Sequence, residues 1–255
     1  MATMPTLVEL AEAGAHYGHH RSLTFPKAKG FVFMTKNNVS LINLEETLKG
    51  LEAAHALLNE YRAKNKPILF VGSKRSIRDI VKQAAEAIDA HYVVERWYGG
   101  FLTNFSNFAT QIKKIGEMEE FLKSEKASRL EKKERARHQK RYDHAMRFLG
   151  GVANLKGMPE LIVIGSATED KIAISEAQRM NIPIIAITDT DVNPSKIDYP
   201  IPANDDAPRA VEMVLQALVG APAKVSKKED ESTDEPTEKP AAKKVTKKTT
   251  KKAEK

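Results

Sequence analysis

The chain has 255 residues, 41 Lys and Arg against 34 Asp and Glu, a net charge of +7, and no cysteine. The missing thiols exclude disulfides, thiolate metal centres and cysteine nucleophiles, which makes a reducing cytoplasm the expected setting. No apolar run reaches membrane-spanning length, and the first twelve residues lack a signal-peptide pattern, so neither export nor a membrane partner is expected.

The placement of the charge says more than its total. Residues 224–255 hold 11 lysines against 7 acids, and residues 111–148 hold 12 basic residues against 7 acids. The remainder carries 18 basic and 20 acidic residues, so a nearly neutral body carries two cationic extensions. That segregation suits a polyanionic partner reached by extensions, although a solvated helix face plus a solubilising tail gives the same totals. About 220 residues remain to fold, enough for a full hydrophobic core.

In chain order, residues 31–34 and 39–42 flank Asn37 and Asn38, which tolerate a left-handed turn, and predict a small hairpin. A helix is expected over 43–64, opened by an Asn43 and Glu46 capping box, with Leu48, Leu51, Ala54, Leu58 and Tyr61 at helical spacing. A strand at 68–71, a helix at 73–88 and a strand at 92–94 follow. After a break, the same rhythm returns as a strand at 161–164, a helix at 169–180, a strand at 184–187 and a closing helix at 206–219. Short β-branched runs alternating with helices predict a doubly wound α/β domain with a parallel sheet covered on both faces.

The break, residues 104–154, has Phe108, Ile112, Ile115, Met118 and Leu122 on an outgoing helix and Tyr142, Met146, Leu149 and Val152 on a return. An inserted antiparallel helical hairpin, a short coiled coil, is expected, with a charged tip that protrudes. The expected organisation is two halves of the α/β domain at 1–104 and 155–221, the hairpin at 105–154, and a disordered Lys-rich tail at 222–255.

Several runs carry a family resemblance. They are Ala13 to His19, Leu69 to Arg75, Arg96-Trp97-Tyr98-Gly99-Gly100-Phe101-Leu102-Thr103-Asn104-Phe105, Ile182-Pro183 through Asp189-Thr190, and Ile197 to Ala207 with its Asp198-Tyr199-Pro200-Ile201-Pro202. On these runs the chain resembles the S-two family of bacterial small-subunit ribosomal proteins, and the resemblance covers about residues 7–219. The resemblance implies a flavodoxin-like domain with five parallel strands, no enzymatic activity and no cofactor. The implied partners are small-subunit ribosomal RNA and neighbouring ribosomal proteins, among them the large protein that gathers messenger RNA.

Individual sites divide between functional and structural roles. Gly72-Ser73-Lys74-Arg75 follows a strand and opens a helix, where phosphate binds in open α/β sheets, but it lacks the spaced glycines of a nucleotide-binding loop. It is either an ordinary turn or, as the resemblance implies, a place where Lys74 and Arg75 meet RNA phosphates. In the 96–104 loop, Arg96 and Asn104 are RNA candidates; Trp97 beside Arg96 could stack on a base or clamp a phosphate, but is expected rather to plug the core beneath the inserted hairpin. His16, His19 and His20 suggest a metal, but no carboxylate partner is evident from spacing, and none is expected to bind. Asp189 and Asp191 read as turn formers, and Asn204, Asp205 and Asp206 as the start of the closing helix.

The strongest RNA candidates are Lys113 and Lys114 on the outgoing helix and Lys132, Lys133, Arg135, Arg137, Lys140 and Arg141 on the return, where acids vanish from Arg135 to Arg141. Arg21, Lys27 and Lys29 join them from the N-terminal loop. The expected function is architectural, in a small ribosomal subunit. A phosphosugar or nucleotide enzyme on the same fold is the first alternative, since fold alone never excludes catalysis, and a free nucleic-acid-binding regulator is the second.

Overall fold

The computed structural model describes residues 4–124, 127 and 130–220. The tail expected at 222–255 lies outside the described residues, as do positions 125, 126, 128 and 129 at the hairpin tip.

The chain begins with a short helix, α1 (Leu7–Glu12), closed by a reciprocal cap between Thr6 and Glu9. Three short strands follow, β1 (Tyr17–His20), β2 (Val32–Lys36) and β3 (Val39–Ile42), which form an antiparallel sheet in the order β1-β3-β2. Asn37 and Asn38 supply the turn between β2 and β3 with φ of 51° and 61°, as a two-residue hairpin requires. Helix α2 (Leu44–Ala63) is capped by the Asn43 side chain on the Glu45 N–H. Glu46 turns instead to Lys49, so the expected two-way box is one-sided.

The main sheet begins with β4 (Ile68–Val71), helix α3 (Arg78–Glu86) and β5 (His91–Val93). Helices α4 (Phe105–Lys123) and α5 (Lys132–Leu149) are then inserted before β6 (Leu161–Ile164). Helix α6 (Lys171–Arg179), β7 (Ile184–Thr188), β8 (Tyr199–Pro202) and α7 (Pro208–Val219) complete the chain. All five strands are parallel in the order β5-β4-β6-β7-β8. Counted along the chain this order is 2-1-3-4-5, the doubly wound flavodoxin-like arrangement.

Strands β4, β6 and β7 are buried at every position, because apolar side chains alternate between two covered faces. Ile68, Phe70, Leu161, Val163, Ile185 and Ile187 point to the face covered by α2, α3 and α7. Leu69, Val71, Ile162, Ile164, Ile184 and Ala186 point to the other, where Phe108, Ile112 and Ile115 of α4, Leu149 of α5 and Ala173, Ile174 and Ala177 of α6 pack. The inserted helices are thus rooted in the second core. They run antiparallel, since the Phe121 ring meets His138 at 5.1 Å and Glu119 meets Tyr142.

Some boundaries differ from the sequence expectations. Helix α3 starts at Arg78, five residues later than periodicity suggests. Ser73 donates its N–H to Asp170 and Ile77 closes a turn on the Lys74 carbonyl, so the polar 73–76 stretch is held as a loop. Strand β8 carries Pro200 and Pro202, which lack an N–H, and is tolerated because it is an edge strand paired only with β7. The closing helix starts at Pro208 and has no acid in its first turn.

Candidate nucleic-acid interface

The loop between β5 and α4 is organised by one buried carboxylate. Glu176 Oε1 accepts from Trp97 Nε1 at 3.1 Å and the Gly100 N–H at 2.7 Å, and Oε2 from the Leu102 and Thr103 N–H groups at 3.0 and 3.3 Å. Burial alone would raise this carboxyl, but the N–H groups of Gly100 and Leu102, the indole and Thr103 hold it below its ordinary value. Trp97 is buried, with its ring 5.1 Å from Phe101, so it fills the core as expected. Arg96 and Asn104 remain exposed on the outer side of the loop.

Glu95, one residue before Arg96, ties the inserted helices to the body. Its Oε1 accepts from Arg147 Nε at 3.1 Å and its Oε2 from Arg78 Nη1 at 2.9 Å. Arg147 first, then Arg78, lowers the Glu95 carboxyl. The return helix is thereby fixed at its base, and its outer surface is free to carry charge.

That surface is cationic. Lys133, Arg137, Lys140 and Arg141 recur at i, i+4, i+7 and i+8, one stripe of an α-helix, while His138, Tyr142, Ala145, Met146 and Leu149 face α4. Lys132, Lys133, Arg135, Arg137, Lys140 and Arg141 are all exposed, and no ion pair among the described residues engages them. Lys113 and Lys114 are exposed on α4 in the same condition, as are Arg21, Lys27 and Lys29 in the 3-10 turns after β1. Helix α5 spans about 27 Å at 1.5 Å per residue, long enough to follow several phosphates of a nucleic-acid helix.

The crevice beyond the carboxyl ends of the strands, where related folds bind phosphate, is filled by the chain's own groups. Asp170 accepts the Ser73 N–H at 3.2 Å. Lys74 Nζ is bound by Asp205 Oδ1 at 2.9 Å and Asp206 Oδ1 at 2.7 Å, and Ser166 Oγ donates to Asp205 at 2.6 Å. A Cβ on Gly72 or Gly165 would fall 2.6 or 2.8 Å from Val81 Cγ2. These glycines therefore let α3 pack over the strand ends, and internal carboxylates stand where an incoming phosphate would bind. Asp205 and Asp206 serve Lys74 and do not open α7, which corrects their reading as a helix start.

His19 also reaches this crevice, with Nδ1 3.1 Å from Asp189 Oδ1. Burial would lower the imidazole, but Asp189, with Asp191 and Asp206 beyond it, raises it; burial pushes Asp189 up. His19, Asp189 and Asp191 bring one ligand atom each within 4.8 Å of one another, a set that could hold a divalent cation. The grouping leaves no local pattern in the sequence, because 170 residues separate His19 from Asp189.

A sequence model of the family Ribosomal protein S2 matches residues 10–224. The chain belongs to the ribosomal protein S2 family. It is also 37% identical over 215 residues to the Small ribosomal subunit protein uS2 of Helicobacter hepaticus, covering 84% of this chain and 81% of that protein. S2 proteins are structural, non-enzymatic components of the small ribosomal subunit.

Within this S2 chain the sequence-selected cations fall into two groups. Arg75, Arg96, Lys113, Lys114 and the α5 residues stand exposed, whereas Lys74 is only 17% exposed and held by two aspartates. Glu176 and Glu95, which hold the loop and the return helix, were not singled out from sequence. Glu176 looked like one more acid on an amphipathic helix, and only its position on the buried face of α6 distinguished it. No helix among the described residues is long and apolar enough to cross a membrane.

Proposed function

We propose that this chain is an architectural component of the small ribosomal subunit in the cytoplasm. On this reading it holds ribosomal RNA through the basic stripe of α5, the exposed lysines of α4 and the outer side of the 96–104 loop. The observation that carries the reading is the contrast between α5 and the crevice. Cations with no ion-pair partner among the described residues line a helix that leaves the body, while the place where an enzyme of this fold would hold phosphate is occupied by Asp170, Asp205 and Asp206. Recognition by such a stripe is phosphate-directed and positions the protein by shape.

The inserted helices 105–154 act here as a coiled-coil arm, and Arg21, Lys27, Lys29 and Arg75 add contacts from the body. Lys74 supports the loop from within. A protein neighbour, the large messenger-RNA-gathering protein among them, suits the small antiparallel sheet. There Tyr17 and Met34 lie on either side of Leu41 and, with Phe33, are exposed large apolar side chains.

Binding of the purified chain to small-subunit ribosomal RNA, titrated across salt concentrations, tests this reading. Reversing Arg135, Arg137, Lys140 and Arg141 to Glu should lower affinity on the order of 100-fold near 0.1 M salt and flatten the salt dependence by several phosphate contacts. The same affinity and slope in this variant would remove the stripe from the interface.

A further inference from the structure

A cavity of about 560 Å³ opens at the opposite edge of the parallel sheet, where the strands begin. Its walls are the α2–β4 turn, the α3–β5 turn and the segment that leads from α5 into β6. Both turns are fixed by a left-handed residue, Asn65 at φ 50° and Asp89 at φ 53°, and closed by backbone bonds from Lys66 to Tyr61 and from Ala90 to Ala85. The bowl is therefore preformed, and its volume falls in the ordinary range of small-ligand sites, roughly 300 to 1,000 Å³.

The charges around it are unevenly used. Lys66 is held by Glu160 and lies 5.0 Å from the Tyr61 ring. Arg62 makes one long bond, 3.4 Å to the Val219 carbonyl, and neither Arg62 nor Lys156 has an ion-pair partner among the described residues. Asn65, Asn154 and His91 add amides and an imidazole, and burial pushes that imidazole below its ordinary value despite a hydrogen bond with the Gly151 backbone. The lining carries one carboxylate, Asp89.

We propose that this bowl is a second RNA contact. It seats one nucleotide, with the phosphate between Arg62 and Lys156 and the ribose and base edge against Asn65, Asp89 and Asn154. A guanidinium and an ammonium suit phosphate, and side-chain amides and a carboxylate suit a 2′-hydroxyl and base donors. The location argues for the same strand or helix that lies along α5, because residues 150–157 carry the chain from the base of α5 to the rim. The proposal rests on the chain being a ribosomal RNA binder.

The test uses the full chain assembled into small subunits. The protein has no cysteine, and an added Cβ at Gly157 on the rim, or at Gly116 on α4, meets nothing within 4 Å. Gly157→Cys and Gly116→Cys, each carrying an iron–EDTA tether, report nearby RNA by hydroxyl-radical cleavage. Cleavage of a defined ribosomal RNA stretch from both positions is expected. In parallel, the Arg62→Gln/Lys156→Gln double variant should bind small-subunit RNA on the order of tenfold more weakly, with a salt slope smaller by about one to two and an unchanged melting curve.

Cleavage from Gly116 with none from Gly157 overturns the proposal while leaving the helical interface intact. No cleavage from either position sinks the RNA reading itself. Saturable binding of adenosine monophosphate to the wild type, with no change of RNA salt slope in the double variant, assigns the bowl to a free nucleotide instead. Crosslinks from Gly157 to a neighbouring protein without RNA cleavage assign it to a protein contact.

Discussion

Glu176 shows how much a single buried side chain carries here. Its carboxylate accepts from four N–H groups of one loop, so Glu176→Gln places an amide donor against donors and leaves at least one N–H unpaired. A loss of about 2 kcal/mol is expected, seen as a fall in melting temperature of roughly 4–8 °C for a domain of this size. The sign with pH follows from its lowered pKa. The contribution is fully present above its ordinary value of 4.5 and is lost as pH falls through the folded value. The gap between wild type and variant should therefore close in acid, and a gap that widens in acid would contradict the assignment. Gly50 makes a second case, because Ala normally stabilises a helix interior by about 1 kcal/mol over Gly. Here a Cβ would lie 2.5 Å from the Pro200 carbonyl oxygen, where β8 crosses under α2. Gly50→Ala should lower the urea midpoint by the equivalent of about 1–3 kcal/mol. The sequence favours Trp97 for the core over base stacking, and its burial with the indole N–H bound to Glu176 bears that reading out. The partnerships of Lys74 with Asp205 and of His19 with Asp189 could not be read from sequence, since they join segments more than a hundred residues apart and leave no local pattern.

Elements were legible where periodicity is long and unbroken. The buried runs of β4, β6 and β7 and the amphipathic α2, α4 and α5 stood out because their apolar spacing repeats over several turns or alternates across two faces. Short or atypical elements did not. Strand β1 has two histidines and a glycine, β8 has two prolines, and α1 is only six residues long, so each depends on its partners more than on its own propensities. Amide exchange should follow the same division. Protection is expected to be greatest in β4, β6 and β7, which are paired on both sides, and lower in the edge strands β5 and β8. Faster exchange in β6 than in β5 would contradict the sheet order.

On the scale of the whole molecule, the organising feature is the separation of charge from core. The body between α1 and α7 is held by two apolar layers, with its internal cations such as Lys74 and Arg78 matched by carboxylates. Among the described residues, cations without an ion-pair partner line the inserted helices and recur on the surface of the body, as at Arg21, Arg62, Arg96 and Lys156. This division was visible in composition because it needs only counting along the chain, whereas the filled crevice required three-dimensional structure. A chain ended after Pro222 should keep its melting temperature, since every core residue among the described ones lies between Leu10 and Val219. A large drop would place part of the core in the removed segment. The most direct measurement is sedimentation of the tagged full chain from a bacterial extract through a sucrose gradient at moderate salt. The chain should travel with small ribosomal subunits and leave them as salt is raised. A chain that stays at the top of the gradient at every salt concentration, with the subunits complete without it, would contradict the account.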